Sequence, residues 1–152
     1  MRALILGMVI GCAMGGAASA QNLDTQTVRA CFAGAGPGDI TASCIGYAAR
    51  VCSERDNHTT ISVVECTRAE LATWDGFLNQ QYGVVRDQLG ARDPALADAL
   101  LGAQRAWLAY RDAECALRAA RVSGSYRSVI LASCLLDETA ERALELRDKK
   151  VE

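Results

Sequence analysis

Leu71-Ala72-Thr73-Trp74-Asp75-Gly76-Phe77-Leu78-Asn79-Gln80-Gln81-Tyr82-Gly83-Val84-Val85-Arg86-Asp87-Gln88-Leu89 is the stretch on which the fold turns. Its apolar residues Leu71, Trp74, Leu78, Tyr82, Val85 and Leu89 recur at intervals of 3, 4, 4, 3 and 4, the stripe of one continuous amphipathic helix. The spacing predicts a helix over 60–89, weakened locally by Gly83 and closed by Gly90 at the position after the C-cap. Asp93-Pro94 then reads as an N-cap followed by proline in the first helical position. A third helix carries Leu96, Leu100, Trp107 and Leu117 and ends near Val122, before Ser123-Gly124-Ser125. A fourth runs from about Tyr126 to Lys149, with Ile130, Cys134, Leu136, Ala140 and Leu144 on its inner face; Lys149 and Lys150 suit the negative end of its dipole.

Upstream, Asp39 is a plausible N-cap for a first helix marked by Ile40, Cys44, Tyr47 and Val51 and ending near residue 55. Residues 56–59 form a polar turn. Residues 21–38 read as irregular, because Gly34, Gly36, Pro37 and Gly38 interrupt any periodicity. No stretch alternates like a strand. The expectation is an all-α protein: an elongated antiparallel bundle of about four helices spanning 39–150.

The chain has 152 residues, 16 basic and 18 acidic side chains, one His and seven Cys. This length suits one domain, and a single His leaves little room for a His-rich metal cluster or a Ser-His-Asp triad. A balance this close to neutral argues against a nucleic-acid binder. Residues 1–20 read as a signal peptide: Arg2, an apolar run over 3–10, and Ala18-Ser19-Ala20 before a new N-terminus at Gln21. The run falls short of the ~20 residues that span a bilayer. Val9-Ile10-Gly11-Cys12 also has the shape of a lipobox, the alternative in which Cys12 carries a lipid anchor. Cleavage before Gln21 removes Arg2 and Cys12, leaving 15 basic against 18 acidic side chains and six cysteines. The expected location is the periplasm or the exterior of a bacterial cell.

An even count of six in an exported chain reads as a disulfide framework. With no Cys-x-x-Cys pair and no His beside a cysteine, neither zinc nor thioredoxin-like chemistry is expected. Six cysteines allow fifteen connectivities. An antiparallel hairpin would bring Cys115 and Cys134 to matched heights; the same logic pairs Cys52 with Cys66 and leaves Cys31 with Cys44.

Signs of catalysis are missing. His58 lies in the polar turn, and Glu138, Glu141 and Glu145 share one helix face with Arg142, as in a solvated salt-bridge face. Arg118, Arg121 and Arg127 make a basic spot too small for nucleic acid. No phosphate-binding loop appears, and no cofactor is expected.

Over 66–146 a further pattern emerges: Cys66-x7-Trp74-Asp75-x2-Leu78-Asn79-x2-Tyr82, then Gln104-x2-Trp107-Leu108-x-Tyr110-Arg111-Asp112-x-Glu114-Cys115, then Gly124-Ser125 and Cys134-x4-Thr139-x2-Arg142. This resembles the LprI-like lysozyme-inhibitor N-terminal domain family of bacterial exported proteins. The resemblance implies a small helical, disulfide-containing envelope domain, with lysozyme or another cell-wall hydrolase as the expected partner. The alternative is a periplasmic structural or protein-binding module without lysozyme activity. Trp74, Leu78, Tyr82 and Trp107 are expected in the core. Asp75, Asn79, Gln104, Arg111, Asp112, Thr139 and Arg142 are candidates for an inter-helix polar network. Ser123, Gly124, Ser125, Tyr126 and Arg127 are the candidate partner contact, a small polar turn ending in an aromatic and a cation.

Overall fold

A computed structural model describes residues 23–149. The expected signal segment, Cys12 and Gln21 lie outside the described residues. Among the described residues there are five helices and no strand: α1 Thr25–Gly34, α2 Tyr47–Arg55, α3 Thr60–Arg92, α4 Pro94–Ala120 and α5 Tyr126–Asp148. The helical class stands, with one helix more than expected.

The three long helices form an up-down-up bundle. Asp93 closes α3 and opens α4: its backbone N–H donates to the Leu89 carbonyl, and its side chain accepts from the Ala95 N–H. With one residue serving both helices the chain reverses sharply, so α4 runs antiparallel to α3. The 121–125 turn reverses it again. The pair with the largest contact, α3 and α5, is therefore parallel, a correction to a purely antiparallel bundle. Gly90 does not terminate α3, which runs on to Arg92. A β-carbon on Gly90 would lie 3.5 Å from Ala97 Cβ, an ordinary van der Waals contact, so α3 and α4 meet here without requiring glycine. At 1.5 Å per residue the 33 residues of α3 extend about 50 Å.

The core lies between α3 and α5. Trp74, Leu78 and Val85 interdigitate with Leu136, Ala140, Ala143 and Leu144, all nearly inaccessible to solvent. The alanines of α5 let the two helices approach closely. Trp107 is half-buried at the edge of this core.

The N-terminal part departs most from expectation. Residues 25–34 are helical, not irregular. Asp24 caps α1, accepting from the Gln26 N–H at 3.0 Å and the Thr27 hydroxyl at 2.7 Å. Val28, Cys31 and Phe32 face α3, where Phe32 stacks on Phe77 at 4.3 Å and meets Trp74 edge-on. The expected helix from Asp39 does not form. Residues 36–46 are turns, and α2 begins only after Gly46, whose φ of 79° favours glycine. Asp39 instead donates its backbone N–H to the Gly36 carbonyl.

Candidate functional site

No helix among the described residues is long and apolar enough to cross a membrane. The three disulfides are Cys31–Cys44, Cys52–Cys66 and Cys115–Cys134. Each joins elements that are neighbours in the chain. Cys31–Cys44 ties α1 to the turns before α2, Cys52–Cys66 locks α2 on α3, and Cys115–Cys134 clamps the α4–α5 hairpin.

The clamped hairpin presents residues 123–127, all exposed. Gly124 adopts a φ of 67°, a left-handed conformation that lets the chain turn within four residues. The Arg127 N–H donates to the Gly124 carbonyl, and the Ser128 N–H and hydroxyl both donate to the Ser125 carbonyl, winding the first turn of α5. Arg127 Nε donates to the Ala119 carbonyl at 3.2 Å, satisfying an end-group of α4 and bracing the loop from within. Tyr126 stands 58% exposed at the tip. Beside the turn, Ser125 and Ser128 join Ile61, Val64, Glu65 and Arg68 of α3 around an open cavity of about 350 Å³. Ile61 is 71% exposed there.

The basic spot is less free than its sequence suggests. Arg118 pairs with Glu114 at 2.8 Å and with Glu138 at 3.2 Å. The first contact lies within α4 and the second joins α4 to α5, so Arg118 is engaged both along its own helix and between helices.

The candidate polar residues separate into two groups. Arg142 is buried, donates to Gln104 Oε1 at 3.1 Å and pairs with Glu145 at 2.6 Å. Arg111 donates to the Thr139 hydroxyl at 3.2 Å and to Asp112. Both guanidinium groups lie over the Trp107 ring, at 5.2 and 5.7 Å from its centroid. Gln104, Arg111, Asp112, Thr139 and Arg142 thus gather around one indole at the α4–α5 seam. Asp75 and Asn79 stand apart, joined to each other at 3.0 Å on the exposed side of α3. They share a helix face, and no hydrogen bond links them to the α4–α5 group.

Two residues outside the expected set position whole elements. Glu70 is 1% exposed; Oε1 accepts from the Gly46 N–H at 2.8 Å and Trp74 Nε1 at 3.2 Å, and Oε2 accepts from the Ala49 N–H at 2.7 Å. It caps α2 from another helix, because Gly46 has no side chain to do so. Arg147 donates to the Phe32 and Gly36 carbonyls at 2.6 and 3.2 Å, fastening the end of α1 to the end of α5.

Along α5 the carboxylates differ. Partial desolvation raises the Asp137 carboxyl although the residue is exposed, with Arg118 partly offsetting it and Glu138 and Glu70 adding repulsion. Burial also raises Glu141, helped by Glu138 and Asp137. Burial alone would raise Glu145 too, but hydrogen bonds from Arg142 and Lys149 outweigh it and hold that carboxyl below its ordinary range.

Ser53, His58 and Asp137 line one cavity of about 230 Å³, and Ser53 Oγ lies 3.2 Å from His58 Nδ1. Ser53 is 2% exposed and donates its hydroxyl to the Arg50 carbonyl. The Asp56 carboxylate lies within 4.8 Å of the Cys52 and Cys66 sulfurs, but these are bonded to each other and are not free thiolates for a metal.

A relative from Rhizobium meliloti (strain 1021), Uncharacterized protein R02472, is 32% identical over 94 residues, covering 55% of this chain and 68% of its own. No solved structure matches the chain. The family model described as Lysozyme inhibitor LprI matches residues 52–146, from the end of α2 through nearly all of α5. The chain belongs to the LprI lysozyme inhibitor family.

Proposed function

We propose that this protein is a non-catalytic envelope protein that inhibits lysozyme or a related peptidoglycan hydrolase by inserting residues 123–127 into the enzyme's cleft. The observation that carries the reading is the family match over 52–146, a range that contains this turn and its disulfide clamp. The three disulfides and the family support a location outside the cytoplasm.

The turn has the features an inserting segment needs. It is narrow because its first three residues are small, and rigid because Cys115–Cys134 and the Arg127–Ala119 bond hold its base. It ends in Tyr126 and Arg127, an aromatic and a cation. Glycosidase clefts carry a pair of carboxyl groups, which a guanidinium complements. The acidic balance of the chain, with a pI near 5.5, would steer it toward a basic enzyme. The N-terminal extension leaves the turn open: α1 is fastened at Arg147, and twenty residues of α5 put about 30 Å between Arg147 and Arg127.

Gel filtration of the purified protein mixed with chicken-type or goose-type lysozyme tests the reading. A co-eluting complex is expected with at least one of them. The substitution Tyr126→Ala should weaken it about tenfold or more while shifting the melting temperature little. Absence of a complex with both enzymes contradicts the proposal.

A further inference from the structure

We infer that the outer face of α4 is a self-association surface on which a second copy of this chain docks antiparallel. α4 buries one side through Leu100, Gln104, Cys115 and Ala119. From Leu96 to Ala120 its opposite side carries apolar or small residues at alternating intervals of three and four, the spacing of a coiled-coil seam. Leu96, Tyr110 and Leu117 are 43%, 56% and 60% exposed on it. The residues between them are exposed alanines and Gly102. At 100° per residue, no charged side chain of residues 95–120 falls within an arc about 100° wide on this side. A surface helix of a monomer ordinarily turns charged residues outward; here Asp98, Arg105 and Asp112 do so on one side of the stripe, and the stripe itself carries none.

The occupant is identified by complementarity of the face to itself. A two-fold axis beside residue 108 sets Leu96 against Ala120, Ala99 against Leu117 and Ala106 against Tyr110 of the other copy. Every large residue meets a small one, as knobs entering holes require. One position over, Gly102 faces Ala116 and Ala109 faces its own symmetry mate, so the backbones can approach closely. Charges match on one flank of the same register, where Asp93 comes beside Arg121 of the second copy. An isologous pairing makes this contact twice. A parallel pairing would instead set Leu96, Tyr110 and Leu117 each against itself.

The face is about 40 Å long, from 27 residues, and about 10 Å wide. Two copies would bury on the order of 800 Å², the size of a weak, concentration-dependent contact. Both 123–127 turns would stay free, one at each end of the pair.

Sedimentation of the purified, disulfide-intact protein from about 10 μM to about 1 mM tests this. The wild type should rise from the mass of one chain toward that of two. Ala109→Glu puts two carboxylates across the axis and should weaken association about tenfold or more, with an unchanged melting curve. A wild type that stays monomeric at the highest concentration overturns the inference, as does an Ala109→Glu variant that dimerises equally well. Orientation is read by mixing Ala99→Cys and Leu117→Cys variants under oxidation. The antiparallel pair gives predominantly the mixed dimer; cross-linking of each variant chiefly to itself overturns it.

Discussion

Glu70 shows most clearly what one side chain does here. No local pattern marks a glutamate one turn before Trp74 as the cap of a helix some twenty residues upstream. Its role depends on where α2 lands, and the Cys52–Cys66 bond fixes that. Glu70→Ala leaves two backbone N–H groups and the Trp74 indole N–H without acceptors, and should lower stability by about 3 kcal/mol in urea unfolding. Arg142 and Arg111 were legible as polar residues near the core, since their spacing places them beside the Trp107 stripe. Their meeting over one indole was not, because it needs two helices at a particular height. Asp75 and Asn79 share the same motif, yet their angular position on α3 keeps them on the exposed side.

Elements were legible in proportion to their length and caps. α3, α4 and α5 have long 3.6-residue stripes and sharp signals at Asp93-Pro94 and at 123–125, so their ends were readable within a few residues. α1 has only ten residues, and the following Gly34, Gly36, Pro37 and Gly38 masked the Asp24 cap and the Val28, Cys31, Phe32 face. The disulfide clamp on α4 and α5 closes a separation of 19 residues, so replacing Cys115 and Cys134 together by alanine should lower stability by about 3 kcal/mol in the same assay. α5 also sets a pH dependence. Asp137 has its pKa raised by folding, so its charge is unfavourable above that raised value. The penalty fades as pH falls through it, and is gone below the ordinary value of 3.8, where the folded and unfolded chains are both protonated. Asp137→Asn should therefore raise the melting temperature at pH 7, and the gain should disappear by about pH 3. Glu145 behaves oppositely. Its lowered pKa stabilises the fold at neutral pH, and that contribution is lost as pH falls through the folded value.

The whole molecule is a slim three-helix bundle with a two-helix buttress. The bundle carries the family's matched range, and α1 and the turns before α2 lie outside it. The helical class and the disulfide bracing could be read from residue types, while the packing of α3 on α5 could not: it depends on which helix faces meet after two successive reversals. The exposed turn at 123–127 lies within the matched range, and inhibition through it is the central claim. A turbidity assay of bacterial cell-wall lysis measures it directly. The account predicts that a several-fold molar excess of the disulfide-intact protein slows lysis by chicken-type or goose-type lysozyme, and that Tyr126→Ala weakens the effect about tenfold or more. Lysis at the uninhibited rate with both enzymes would contradict it.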